Sequence, residues 1–423
     1  MSRLSIDYSK KVIITIFIFD FFINQILQWL SITNHNFDGP ALRIYRIGVI
    51  IIYILLTFVN LREILIKFSN KKKLFTIIVS FIIYFFIKAI FFKVNYSYVY
   101  IYLVSFLFLL NLFPITDCNN NRIYRQSSSI VDLFVKFFKW ILLINFFIVL
   151  ISSINYPISS FFTFRENRIP GLFGHPVEDS GIFIAIIPFF YKNILAKKKA
   201  FYLVLIVIYL IFINGTRYAI FGFFFTLSIF QLSRTKKFNA IFFRFLIISI
   251  GIILVFPYIN EYILSDGFFR NFTQMFYTGR RSGLSEGNLS ERFAGIWFPG
   301  ILFTIKNHLF LGSGMWQDVS GQFAINLYGT PTARDPHNFY VMFFVEQGLI
   351  GIILFISFIY MGIKHTLKQL FKKTDFFSIS LLCSWISLTL FFFMFANAWP
   401  SFSIPVLIVV FLLTFYNKLE IEK

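Results

Sequence analysis

Charge is what this chain has least of. Of its 423 residues only 14% are Asp, Glu, Lys or Arg, and the acidic groups are the scarcer half, 19 against 39 basic ones. An average soluble domain carries about 25% charged residues, so this chain has too few to cover a water-facing surface. Cysteine is nearly absent too. Cys118 falls in a polar loop and Cys383 in an apolar run, which gives no basis for a disulfide framework or a metal cluster. The first apolar run contains Asp20 and lacks a small-residue cleavage site before the next polar loop, so it reads as a retained anchor and not a cleaved signal.

What fills the chain instead is apolar sequence: 58% hydrophobic and 22% aromatic residues, 64 of them Phe, with a mean hydropathy of +0.75. That is an integral membrane protein. Apolar runs of about 17 to 25 residues suffice to cross a ~30 Å hydrocarbon core as helices, and they recur from end to end. The expected spans are 12–30, 47–66, 74–92, 97–115, 130–152, 179–191, 200–214, 217–232, 240–257, 338–361, 376–396 and 400–416. The fold class is therefore all-α and polytopic, with about twelve transmembrane helices in one integral membrane domain, 1–423.

Lys10–Lys11, Lys71 to Lys73, Arg122 with Arg125, Lys197 to Lys199, Arg234 with Lys236–Lys237, and Lys372–Lys373 fall on alternate connections. By the positive-inside rule those connections and both termini face the cytoplasm. The net charge of +20 is largely this topology signal, which leaves no basic surface outside the bilayer for a nucleic acid. The other side then holds 31–46, 153–178 and one long segment, 258–337, expected as a large periplasmic loop with short interfacial helices.

On that outer side the basic residues are nearly all arginine: Arg43, Arg46, Arg165, Arg168, Arg217, Arg270, Arg280, Arg281, Arg292 and Arg334, against Lys93 and Lys306. A planar guanidinium fork grips phosphate bidentately and keeps its charge when desolvated, so the bias points to a phosphorylated ligand. Avoidance of lysine as an inward signal is the plainer alternative, and it explains few lysines but not many arginines.

Four local settings carry the chemistry. Arg217, in "NGTRYAIFG", opens an apolar run where Thr216 is placed to cap a helix, and a guanidinium beside a helix start makes an anion site. The alternative is an interfacial arginine with its stem in the apolar layer. Arg292, in "NLSERFAGIW", follows the candidate cap Ser290 in a stretch whose apolar residues recur near helical spacing, as in an interfacial helix over 290–305; its alternative is an ion pair with Glu291 or Glu286. Arg165 and Arg168 precede the turn-rich "RIPGLFGHPVEDSG", with His175, Glu178 and Asp179.

The fourth setting is "ARDPHNFYVMFFVEQGLIG". Pro336 disfavours helix at Asp335, so a helix should begin at or just after His337 and place the imidazole at the outer boundary. Gly348 and Gly351 follow at a spacing that puts them on the histidine's face of a continuous helix, open to a close helix or a lipid chain. Glu346 lies deeper, where a carboxylate needs an arginine or a proton. A lone histidine at a helix start is ordinarily a cap, a reading the arginines on the same side weaken.

Taken together, "GTRYAIFG", "LSERFAGIW" with "HLFLGSG", and "HNFYVMFFVEQGLIG" resemble the O-antigen ligase and polymerase superfamily of bacterial envelopes. The resemblance runs from Arg165 to Gly351 in motif detail. It implies a GT-C-like, metal-independent glycosyltransferase without cofactors in the inner membrane, active on the periplasmic face, with an undecaprenyl-diphosphate-linked glycan as donor. By motif, Arg217 and Arg292 hold the diphosphate leaving group and His337 acts on the acceptor hydroxyl, while Arg165, Arg168, Asn338, Glu346, Gly348 and Gly351 line the substrate. The acceptor is a lipid-linked repeat unit for a polymerase or lipid A-core for a ligase, with membrane lipid and a chain-length regulator as further partners.

Ile352 stands where the ligase-type signature often has a small or polar residue, and the Phe, Ile, Lys and Asn bias matches AT-rich coding, common in surface-polysaccharide gene clusters. Both favour the polymerase. A reading from another class is a lipid-linked oligosaccharide flippase or secondary transporter; these usually show paired repeats, and none is visible.

Overall fold

The structure is a computed structural model, and it describes residues 10–24, 40–68, 72–91, 96–113, 121–154, 171, 176–191, 206, 217–233, 297–313, 338–372, 375–395 and 400–421. Every regular element among these is helical, and no strand occurs among them. That follows from the composition: apolar segments that cannot leave backbone groups to a hydrocarbon solvent must satisfy them within the segment. In chain order the elements are α1 (10–24), α2 (Pro40–Val59), α3 (Leu61–Phe68), α4 (Lys72–Phe91), α5 (Tyr96–Leu112), α6 (Asn121–Ile154), α7 (Pro176–Ile186), α8 (Arg217–Leu232), α9 (Phe298–Asn307), α10 (Phe339–Lys372), α11 (Phe376–Ile386) and α12 (Pro400–Ile421). A 3-10 turn, Ile187–Phe190, extends α7, and a π-helical segment, Ser387–Phe392, carries α11 on to Phe395.

Three described helices are long and apolar enough to cross a membrane unaided: Lys72–Ile90, Ile130–Ile151 and Phe339–Lys372. Shorter apolar helices cover Val99–Leu112, Phe221–Gln231, Phe376–Phe392 and Ser403–Tyr416. Ten of the twelve expected spans overlap a described helix, and α8 has the expected limits. The expected spans 200–214 and 240–257 lie outside the described residues, apart from Ile206.

The interior is built around α5 and α12. α5 packs on α2, α4 and α12, and every side chain from Val99 to Phe113 is buried; α12 is buried throughout 403–416. Neither has an apolar stripe and an opposing polar face, the pattern of a helix enclosed on all sides. Polar side chains stitch these helices where a lone hydroxyl or amide would be costly. Thr414 Oγ1 accepts from Trp385 Nε1 at 3.1 Å, and its backbone carbonyl accepts from Gln369 Nε2 at 2.5 Å. The outer helices turn aromatic and aliphatic groups away from the protein, Ile44, Phe58 and Ile90 among them. Exposed apolar faces of this size suit a lipid solvent.

One end of the bundle collects the elements that bear the motifs. Phe392, in the π-helical segment, lies on Gly181 of α7, so closely that a Cβ at Gly181 would overlap its ring, and Phe391 lies 3.0 Å from the corresponding Cβ position at Gly222 of α8. Tyr340, at the start of α10, donates its hydroxyl to the Thr389 carbonyl at 3.0 Å, and Phe339 stacks on Phe393 at 4.7 Å between ring centroids. The starts of α7, α8 and α10 therefore converge on the end of α11. π-helical insertions of this kind widen a helix by one residue and recur at functional sites.

Candidate functional site

Three helix N-termini share this end of the bundle. Arg217 is the first residue of α8, as its sequence setting predicts; its side chain, and the expected cap Thr216, lie outside the described residues. Asn338 caps α10: its Oδ1 accepts from the Val341 amide at 3.1 Å while its carbonyl accepts from the Met342 amide at 3.0 Å. The helix starts at Phe339, directly after the position expected for it. Such N-termini carry partial positive charge and unsatisfied amides, and converging N-termini favour an anion near them.

Acidic side chains balance that field. Asp179 sits in the first turn of α7, fully buried, where Oδ2 accepts from the Gly171 amide at 2.6 Å and Oδ1 from Asn145 Nδ2 at 3.1 Å. A Cβ on Gly171 would run into the Asn145 amide, so only glycine lets the chain pass here. Glu178 and Asp179 both lie within electrostatic reach of the Tyr218 hydroxyl, which brings the turn-rich motif of α7 beside the arginine motif of α8. Arg165, Arg168, His175, Arg292 and His337 lie outside the described residues.

The continuous helix assumed for His337, Gly348 and Gly351 does not exist. α10 breaks at Gly348, whose φ of 66° and ψ of −166° no helix contains. The short first piece, Phe339 to Gln347, ends there and a second helix runs on to Lys372. The break is occupied by the loop after α9, the "HLFLGSG" segment. Its Gly312, itself at φ 70°, lies backbone to backbone with Gly348, so a Cβ on either would overlap the other's chain. Close approach at Gly348 is thus made by protein backbone. At Gly351 it is made by the Gln347 side chain from the other side of the break.

A broken helix in an apolar interior must satisfy its severed backbone groups, and five of them find partners outside α10. On the amino side of the break, the Val345 carbonyl accepts from the Ser313 amide at 3.0 Å and Oγ at 2.9 Å. The Glu346 carbonyl accepts from Lys88 Nζ at 2.6 Å, and the Gln347 carbonyl from the Tyr84 hydroxyl at 2.5 Å. Beyond the break, the Leu349 and Ile350 amides donate to the Leu309 and Phe310 carbonyls at 2.7 and 3.2 Å. Lys88 of α4 also lies close enough to the buried Glu346 carboxylate to feel its charge.

Lys88, Tyr84 and Gly312 were absent from the residues singled out in the sequence. A signal existed for the first two: a lysine inside the apolar run 74–92, four residues from a tyrosine, marks one polar helix face in a membrane span. Gln347 is the remaining polar group here. It is fully buried, and neither atom of its carboxamide has a partner among the described residues. Burying an unpaired amide costs about 1 to 3 kcal/mol, so Gln347→Leu is expected to leave the thermal midpoint in detergent unchanged or raised. A drop of several degrees would show that the amide is paired.

The comparisons with known proteins fit this placement. Residues 202–356 match the family model described as O-Antigen ligase, a stretch that includes α8, α9 and the first half of α10. No curated protein matches the chain.

Proposed function

We propose that this chain, whose residues 202–356 match the O-Antigen ligase family model, belongs to the O-antigen ligase and polymerase superfamily and transfers a glycan from a lipid diphosphate to an acceptor hydroxyl at the membrane surface. The observation that carries the reading is the convergence of the α7, α8 and α10 starts, with Arg217 opening α8 and the residue after His337 capping α10. A glycan leaving a diphosphate needs fixed positive charge at the departing oxygen and a base at the attacking one. Arg217 and Arg292 supply the first and His337 the second. Arg165, Arg168 and Asn338 belong to the same surface, which by the lysine-rich loops faces the periplasm of a bacterial inner membrane. The segment 258–337 forms the large outer loop over it.

The acceptor we favour is a second lipid-linked repeat unit, making the protein an O-antigen polymerase that takes an undecaprenyl-diphosphate-linked donor and needs no metal. The ligase reading keeps one specific support, the description of the matching family model. Deleting the gene and separating the lipopolysaccharide on a gel distinguishes them. Cores bearing one repeat mean a lost polymerase, bare cores with accumulated lipid-linked polymer a lost ligase, and an unchanged ladder overturns both.

The two arginines give a sharper expectation. A charge-assisted hydrogen bond contributes roughly 1.5 to 3 kcal/mol, so Arg217→Ala or Arg292→Ala should lower turnover by about 10- to 150-fold at equal expression. Lysine should restore only part of this, because the fork is lost with the guanidinium. Full activity in both lysine variants would refute bidentate recognition of the diphosphate.

A further inference from the structure

The short first piece of α10 carries the capped end that follows His337, and it is not held by helix continuity. Between Phe339 and Gln347 it is a separate element of nine residues, cut from the rest of α10 at Gly348. An isolated helix this short has little stability of its own, so its pose is set by whatever binds its two ends. The upper end is fixed by aromatic packing of Phe339 on Phe393 and by the Tyr340 hydroxyl on Thr389. The lower end presents three carbonyls, on Val345, Glu346 and Gln347, and each is taken by a different donor: Ser313, Lys88 and Tyr84.

Two of those donors come from α4, which lies outside the 202–356 stretch that matches the family model. Both are on one face of α4, one turn apart, and both are buried. Lys88 also lies close enough to Glu346 to feel its carboxylate. Tyr84 reaches further, its hydroxyl lying 3.4 Å from the Leu311 carbonyl, so the same side chain touches both the helix end and the loop that fills the break. An ammonium in this place is costly unless every proton finds an acceptor, and an ordinary packing role between helices would be filled by an apolar side chain.

We propose that Lys88 and Tyr84 are positioning residues for the transfer reaction: they clamp the lower end of the half-helix 339–347 and so fix the pose of its upper end, the Asn338 cap that follows His337 in the chain. This rests on the glycosyltransferase reading above. The two side chains touch neither donor nor acceptor; they act through the carbonyls of Glu346 and Gln347. With the upper end pivoting on Phe393 and Thr389, release of the lower end changes the tilt of the piece over a lever of roughly 13 Å for nine residues, and so the angle at which its capped end is presented. Misplacement of this kind lowers turnover by roughly 10- to 100-fold without removing any contact to the donor.

The test uses the full-length protein in detergent or nanodiscs with three variants, Lys88→Met, Lys88→Gln and Tyr84→Phe. Transfer from a lipid-diphosphate-linked glycan is followed for kcat and KM. In parallel, nitroxide labels on cysteines at Val341 in the half-helix and Phe224 in α8 report the distance distribution between the two elements. The expected result is a 10- to 100-fold fall in kcat for Lys88→Met with KM for the donor unchanged, partial rescue by Gln, which still donates to the carbonyl, and a broadened or shifted distance distribution in Met and Phe variants. Unchanged distances in folded Lys88→Met and Tyr84→Phe protein would overturn the proposal. So would a rise in KM at constant kcat, because that marks donor contact. If wild-type protein transfers nothing, the function reading fails while the distance measurement still decides whether the clamp exists.

Discussion

His337→Ala is expected to abolish transfer while leaving affinity for the lipid-diphosphate donor within a few-fold of wild type. A general base typically contributes 10²- to 10⁴-fold, and the arginine-held leaving group does not replace it. The residue directly after His337 is the buried cap of α10, and the one after that stacks on Phe393, so the backbone that carries the imidazole onward is tightly held. A base must be neutral to accept a proton. Activity should therefore be full above the ordinary imidazole range, near ~6.5, and fall as the pH drops through it. His337→Gln retains a hydrogen-bonding group without useful basicity, so it should be nearly as inactive as alanine. A Gln variant with near-normal rate and an unaltered pH profile would reduce His337 to a residue that orients the acceptor.

The general architecture could be read from the chain because hydrocarbon imposes a strong rule: an apolar run of sufficient length has no stable form but a helix. That rule located α4, α5, α8, α11 and α12 to within a few residues. Pro336 placed the start of α10, since it disfavours helix at the residue before it, whereas the role of Asn338 as the cap emerges only in the structure. The break at Gly348 was not legible by the same means. Helical periodicity takes a glycine in an apolar run for a small residue on a continuous face, and nothing local says that its φ is positive. The information lies elsewhere in the chain, in Gly312 and the carbonyls of Leu309 and Phe310, which meet the break only after folding. Lys88 was obscured for a related reason. Counting lysines as inward signals assigns them to loops, and a buried lysine within a span belongs to neither side.

The two glycines of the motif also meet neighbours that the sequence did not announce. Gly348 and Gly351 were read as a groove for a lipid chain or another helix, because small residues in membrane helices usually serve close packing. The structure gives each a close neighbour within the protein. At Gly348 the neighbour is the Gly312 loop, and at Gly351 it is the Cβ of Gln347, drawn in by the change of direction. Inactive variants at either position would therefore not by themselves show contact with substrate.

Gly348→Ala should accordingly be among the most destabilising single substitutions in the chain. Two costs add. A side chain in the left-handed region loses about 1 to 2 kcal/mol, and a Cβ at this position would overlap the Gly312 amide and crowd the Phe310 carbonyl. Moving the loop aside to admit it breaks the bonds from Leu349 and Ile350 to Leu309 and Phe310, and from Ser313 to Val345, each leaving buried backbone groups unpaired at roughly 1 to 3 kcal/mol. The expected outcome is poor recovery in detergent and a thermal midpoint many degrees below wild type. Gly48→Ala supplies the control. Gly48 lies within α2 with nothing within 4 Å of the Cβ it would gain, so alanine there should be neutral or raise stability by about 0.5 to 1 kcal/mol through helix propensity. If Gly348→Ala melts with wild type, the backbone at 348 is not fixed at positive φ in the membrane, α10 runs on as one helix, and the clamp from α4 loses the end it is meant to hold.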